Sequence, residues 1–322
     1  MTFYLITGGA GFIGSNLVKE LLQRGDRVRV LDNFSTGKKE NLDFTLGSGA
    51  SRFELMEGDI RDIEICRKAC VDIDYVLHQA ALGSVFRSIN NPIETQEVNV
   101  HGTLNLLLSS RESKVKRFIY ASSSSVYGDV SSSSEEVIPK QEGMNPRPKS
   151  PYAISKLASE YYAQVFYHLY GLETVILRYF NVFGERQDPN SIYSAVIPRF
   201  IKSLLNQQPP TIYGDGEQSR DFTYVENVIQ ANLKACKTSI PVAGEVINIA
   251  CGERVSINQL YQKLAHIIGR DYPPLYTQPR TGDVRHSLAD IGKAKELLGY
   301  EPEDDLTSGL LKTVTWFKSY PL

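Results

Sequence analysis

The stretch Thr7–Asn16, TGGAGFIGSN, lies between an apolar run, FYLIT (3–7), and a segment with helical spacing, Gly14 to Arg24. Gly8, Gly11 and Gly14 recur at every third position. A strand, a glycine loop and a helix in that order form a dinucleotide-binding arrangement. The first glycine turns the chain, the second admits the pyrophosphate to the backbone, and the third lets the helix lie close to the strand. The helix N-terminus then faces the phosphates, with Phe12 and Ile13 beside it. Eighteen residues past Gly14, Asp32 closes the run RVRVLD (27–32), followed by Asn33. A carboxylate at that spacing binds the adenosine ribose and repels a 2′-phosphate, so the spacing predicts NAD rather than NADP. Asp59, in GDI (58–60), ends a third run and is expected at the adenine amino group, with Ile60 beside it.

Further along, FELMEGD (53–59), YVLHQA (75–80), RFIYASS (117–123) and TVILRYF (174–180) read as strands. NVHGTLNLLLSSRES (99–113) and Tyr152–Tyr170 read as helices. Strands alternating with helices predict an α/β, Rossmann-type doubly wound parallel sheet. After Phe180 the strands shorten and prolines accumulate. This predicts a smaller α+β C-terminal substrate domain. The expected division is 1–180 plus about 223–250 for the NAD-binding domain, and 181–222 with 251–322 for the substrate domain. Gly128 to Ser150 reads as a long loop, and loops of that length are commonly lids or binding loops.

The 322 residues carry a formal net charge of −2, which gives no basic field for nucleic acid or an anionic membrane. The basic cluster RESKVKRF (111–118) falls where a helix ends and reads as a solvated terminus. Four cysteines without a CxxC pair and five scattered histidines predict no metal site and reduced thiols. No segment approaches the roughly 18 apolar residues of a membrane span. The expectation is a soluble, cytoplasmic protein.

In SPYAISK (150–156), Tyr152 and Lys156 are four apart, on one helix face. A phenol with pKa near 10 needs about 4 kcal/mol to become a base at neutral pH. One cation at about 4 Å supplies about that much at an effective dielectric near 20. Lys156 together with the positive nicotinamide ring is therefore expected to yield a phenolate that accepts a hydroxyl proton.

TGGAGFIG, NVHGT, SSSSVYG, Tyr152-x-x-x-Lys156 and RYFNVFG together resemble the extended short-chain dehydrogenase/reductase family over the whole chain. Within it, the sequence is most similar to nucleotide-sugar 4-epimerases that act on UDP-N-acetylhexosamines. The resemblance implies bound NAD, a UDP-sugar substrate and a homodimer through helices 99–113 and 152–170. It implies Ser123, Tyr152 and Lys156 as the catalytic set, with Tyr152 and Lys156 also touching the cofactor. Gln79, Ala80, Ala81, Asn99 and Tyr179 extend the cofactor site.

Aligned on Val-Tyr-Gly, Ser124 and Ser125 occupy two positions that separate reactions in the family. Dehydratases of this type place Asp-Glu there, and decarboxylases a glutamate at the second. A serine hydroxyl is neutral and weakly acidic, so it cannot replace a carboxylate base. Ser124 and Ser125 are expected to bind sugar hydroxyls, while elimination and decarboxylation are disfavoured. The resemblance also places Asn181, Arg220 and Arg280 on the diphosphate, Asp283 on the ribose and Tyr213 beside the uracil. Ala195 and Val196 belong to the uridine-holding segment, and Gly83, Ser84 and Gln187 to the sugar pocket. Ser287 falls at a size gate: a tyrosine there limits such enzymes to UDP-glucose and UDP-galactose, and a small residue leaves room for an N-acetyl group.

The family's SVPRS appears here as Ser84-Val85-Phe86-Arg87-Ser88, and the missing proline is expected to loosen the pocket mouth. The sequence thus predicts C4 epimerisation of UDP-N-acetylglucosamine to UDP-N-acetylgalactosamine, with UDP-glucose and UDP-galactose as further substrates. A UDP-glucuronate epimerase or decarboxylase, and a non-catalytic NAD sensor, are the alternatives.

Overall fold

The computed structural model describes residues 1–46, 50–129, 137–189, 195–279 and 284–320. Its centre is a seven-stranded parallel sheet. The strands are β1 (Phe3–Thr7), β2 (Arg27–Asp32), β3 (Phe53–Glu57), β4 (Tyr75–His78), β5 (Arg117–Ser123), β6 (Thr174–Tyr179) and β7 (Val246–Ile249). They lie in the order β3-β2-β1-β4-β5-β6-β7. The strand order therefore reverses between β1 and β4, which defines the crevice at the strands' C-terminal ends.

Helices cover both faces. Alternation within β1 shows why: Tyr4 and Ile6 enter one apolar cluster, Phe3 and Leu5 the other. The first cluster takes in helices α1 (Phe12–Gln23), α2 (Val225–Lys237), α3 (Ile257–Ile268) and α4 (Leu306–Ser319). The second takes in α5 (Ile63–Cys70), α6 (Gly102–Glu112) and α7 (Pro151–Tyr170). Among the described residues no helix is long and apolar enough to cross a membrane.

Helix α7 carries the predicted tyrosine–lysine pair, and its ends are written locally. Ser150 accepts the Ala153 N–H at 3.1 Å, Pro151 occupies the first turn, and Gly171 ends the helix at φ 70°. The helix expected at 99–113 begins differently. A π-turn, Glu97–His101, precedes α6 and contains Asn99. The stretch 84–88, where the missing proline is expected to loosen the pocket mouth, is helical: Ser84 caps Val85–Asn90 by accepting the Arg87 N–H at 3.2 Å. In the long segment after Gly128, Lys140 pairs with Ala289 in a parallel bridge, pinning that segment beside Ser287.

Candidate active site

A cavity of about 1300 Å³ runs along the C-terminal ends of the strands and across the switch point. Its first part is built around the glycine loop. A Cβ on Gly14 would sit 2.2 Å from the Gly8 carbonyl oxygen, and one on Gly8 would sit 2.7 Å from the Ala80 nitrogen. Loop, helix and β4 approach so closely that backbone, not side chain, forms the wall.

Asp32 is buried in the wall, where its carboxylate accepts the N–H groups of Ala10 at 2.9 Å and Phe34 at 2.8 Å. Burial raises its pKa, and those two bonds oppose the rise. Asp59 is gripped by the Arg61 fork at 3.0 and 2.8 Å, which lowers its pKa to about 2. It also accepts from the Asn33 side chain at 2.9 Å. Gln79 donates to the Tyr179 hydroxyl at 3.2 Å, while its own Oε1 is buried without a partner. An orphaned acceptor on a cavity wall fits a ligand that brings a donor. These residues therefore fit a bound dinucleotide, as Gly11, Phe12, Ile13, Ile60, Ala80 and Ala81 on the same wall do.

Beyond the glycine loop the wall gathers Ser123, Tyr152 and Lys156. Ser123 ends β5, and its Oγ accepts the Ser125 N–H at 3.2 Å. Lys156 is buried and donates from Nζ to the Ala121 carbonyl at 2.7 Å, with Nζ 6.0 Å from the Tyr152 ring centroid. Burial pushes the Lys156 ammonium down to about 7, partly offset by Glu160. Burial also raises the Tyr152 phenol, against hydrogen bonding from Ser123. The protein alone thus moves both groups toward neutrality, opposite to the lowered tyrosine expected from the sequence. Desolvation outweighs the lysine, whose ammonium is committed to a backbone carbonyl.

The remaining wall includes Gly83, Ser84, Ser124, Ser125, Asn181, Gln187, Ala195, Arg220 and Ser287. Ser125 Oγ and Gln187 Oε1 are buried without a partner. Asn181 adopts φ 35° and donates to the Asp221 carbonyl at 3.0 Å. Arg220 is tied to the carbonyls of Ser219 at 2.9 Å and Arg285 at 3.2 Å. Ser287 is 5% exposed, and its N–H donates to the Ser219 carbonyl at 3.0 Å.

Three predicted residues stand off this wall. The Asn99 amide is spent on both backbone groups of Leu82 and on the Ser155 hydroxyl, so it braces the site from behind. Val196 packs against the apolar core at a helix start, and the Tyr213 hydroxyl accepts from Arg199 at 3.4 Å. Arg280 and Asp283 lie outside the described residues. Phe86 is 40% exposed and absent from the wall, while its neighbours Val85 and Arg87 line it. Position 86 therefore lies in the first turn of a helix rather than in a loop. Arg285 forms an exposed fork with Asp215 at 2.9 and 2.8 Å.

Sequence reasoning missed Ser35, Thr36, Gly37, Lys38, Lys140, Arg186 and Trp316 on this wall. STGK directly after Asp32-Asn33-Phe34 carried a usable signal, a glycine-bearing turn beside the expected ribose site. Lys140 carried none, being one lysine in a polar loop.

A doubly wound sheet that brings a serine, a tyrosine and a lysine to a dinucleotide crevice defines an enzyme of short-chain dehydrogenase/reductase type. More narrowly, residues 4–250 match the NAD dependent epimerase/dehydratase family, and the chain belongs to it. NAD is its cofactor, and the enzyme is of the isomerase class. A solved UDP-glucose 4-epimerase from Thermotoga maritima, with UDP-glucose, is 40% identical and superposes with a TM-score of 0.91 over 99% of each chain. A UDP-N-acetylglucosamine 4-epimerase from Methanobrevibacter ruminantium M1, in complex with UDP-N-acetylmuramic acid, is also 40% identical. Its TM-score is 0.91, covering 99% of this chain and 98% of that one. A UDP-glucuronate 4-epimerase from Thermodesulfobacterium geofontis is 35% identical over 99% of this chain and 97% of its own length. These relatives share the UDP and differ in the sugar.

Proposed function

We propose that the protein interconverts UDP-N-acetylglucosamine and UDP-N-acetylgalactosamine at C4 through a 4-keto intermediate, and accepts UDP-glucose and UDP-galactose as well. The observation that carries the reaction type is the pair Ser124 and Ser125 on the wall beside Ser123 and Tyr152, where no carboxylate follows the catalytic serine. Residues 181–222 and 251–322 supply the substrate side, with small Ser287 leaving room for the acetamido group.

Ser123 holds the C4 hydroxyl and Tyr152 takes its proton. Bound NAD, held along the wall by Gly8, Gly11, Gly14 and Asp32, would supply reversible hydride chemistry at C4, so that hydride removed from one face of the sugar is restored on the other. Because the hydride returns to C4 no net oxidation occurs, and because Tyr152 gives the proton back no further acid or base is required. Lys156 stabilises the phenolate while it exists. The unpaired acceptors Ser125 Oγ and Gln187 Oε1 meet sugar hydroxyl or amide donors.

A second reading, epimerisation of a UDP-hexuronate, is favoured by Lys140, a buried cation on the same wall as Ser124 and Ser125. A panel of UDP-sugars with products resolved by NMR separates the two. Release of carbon dioxide or water refutes both, and turnover confined to the acidic sugar selects the second.

We also propose that the enzyme works as a cytoplasmic homodimer. Ile154, Tyr161, Val165 and Leu169 expose an apolar stripe along α7, flanked by exposed Ile89 and Ile93. The free cysteines Cys66, Cys70 and Cys236 are buried, as suits a reducing compartment.

A further inference from the structure

Behind the reacting groups lies a buried charged unit that the chemistry above does not use. Glu160 follows Lys156 by one turn of α7. Its carboxylate accepts the Ser122 hydroxyl at 2.5 Å and the Arg178 fork at 2.9 and 2.6 Å. The Arg178 and Glu160 side chains are only 4% and 2% exposed. Ser122 and Arg178 are paired in register across β5 and β6, so the unit ties together two strands and a helix. Ser122 also stands between Ala121, whose carbonyl holds Lys156 Nζ at 2.7 Å, and Ser123.

A buried ion pair is costly to desolvate, and an apolar replacement of the same shape is often as stable or more so. Stability therefore does not explain why charges occupy the β5–β6–α7 junction. The Arg178 guanidinium is not even fully satisfied: Nη1 has no partner, and the group rests 4.6 Å over the Tyr127 ring.

We propose that Glu160, held by Arg178 and Ser122, is the positioning residue of the catalytic lysine: it fixes the end of β5 on which Lys156 and Ser123 depend, and its charge keeps Lys156 an ammonium in a buried site. The groups around Lys156 leave Glu160 as the source of that charge. From β5, Tyr120 presents its ring at 5.0 Å, and on α7 Tyr152 presents a phenol. From β4, His78 is held neutral by burial and by Lys156 itself. Arg178, on β6, faces Glu160 rather than Lys156. Burial draws Lys156 down to about 7, and Glu160 is the carboxylate that opposes it.

The proposal rests on Tyr152 and Lys156 being the reacting pair, and it is tested by a readout that does not need turnover. NMR of protein labelled with 13C at the lysine ε-carbon follows the Lys156 titration, with Lys156→Arg assigning the resonance. In Glu160→Gln/Arg178→Met, which removes both charges together, the Lys156 midpoint falls by at least about one pH unit. The alkaline limb of kcat on the accepted UDP-sugar moves down with it, while KM holds. A folded variant whose Lys156 midpoint stays in place overturns the proposal, as does a kcat lowered equally at every pH. If the double variant does not fold, Glu160→Gln alone, whose amide oxygen still accepts from Ser122 and Arg178, is read in the same way. Failure of both to fold makes the unit a determinant of the fold and overturns the proposal too. A UDP-sugar panel without turnover would sink the substrate reading and leave the NMR result standing.

Discussion

Replacing Gly14 with alanine adds one methyl group at the closest approach in the molecule's ligand wall. The new Cβ would lie 2.2 Å from the Gly8 carbonyl oxygen and 2.8 Å from the Gly9 Cα. Ordinary contact requires roughly 1 Å more separation, in an interior packed as densely as a crystal. Gly8 cannot retreat to provide it. Its own missing Cβ position is 2.7 Å from the Ala80 nitrogen, and its carbonyl already accepts the Gly11 N–H at 3.0 Å. The helix must therefore lift off the strand, or the loop must leave its phosphate-facing shape. Overpacking of this kind costs about 1–3 kcal/mol, while alanine's better helix propensity returns only about 0.5–1 kcal/mol. At about 2–4 °C per kcal/mol, the expected fall in Tm is several degrees. If the cost falls on the bound state, NAD affinity drops roughly 10- to 100-fold. Thermal unfolding, with absorbance and mass analysis of NAD carried through purification, measures both. Gly83→Ala is the control, because a Cβ there meets nothing within 4 Å, and its Tm is expected to hold. A Gly14→Ala protein with unchanged Tm and full NAD content would refute the reasoning.

Tyr152→Phe removes the proposed proton acceptor but little volume, so kcat is expected to fall about 10²–10⁴-fold with UDP-sugar and NAD binding retained; product NMR and calorimetric titration check the two parts. Ser287→Tyr fills the proposed gate, abolishing turnover of N-acetylated sugars while sparing UDP-glucose, and equal loss on both would discard the gate. His78 lies buried between the hydroxyls of Thr7 at 2.7 Å and Thr103 at 2.9 Å, and burial pushes its pKa from 6.5 to about 3. Because the unfolded chain then binds a proton that the native state refuses, stability falls as pH drops below 6.5, by about 2 kcal/mol at pH 5. Denaturant unfolding across pH 4–7 should show that slope, and it should flatten in His78→Gln.

Much of the site was legible because its signals are local. The glycine spacing, Asp32 at a strand end, and Tyr152 and Lys156 one turn apart each need only a few consecutive residues and a known element. The ends of α7 were equally plain, since Ser150, Pro151 and Gly171 act on their own neighbouring backbone. The structure adds most where a residue's partners come from distant segments. Asn99 adjoins the HGT segment, but the π-turn spends its amide on Leu82 and Ser155. Phe86 interrupts a familiar pattern, but Ser84 caps a helix there instead of opening a loop.

The sequence by itself determined the first six strands of the sheet, the helices at 14–24, 99–113 and 152–170, the glycine loop, and the chemical inventory of the proposed reacting groups, because hydrophobic periodicity and turn chemistry operate over short stretches of chain. Tertiary structure alone decided which groups share a wall and what charge they carry there. Ser122, Glu160 and Arg178 meet from two strands and a helix, and Lys140 reaches the cavity only because its segment is bridged to Ala289. The direction in which burial moves Tyr152 and Lys156 depends on everything packed around them and is written in no local stretch of sequence.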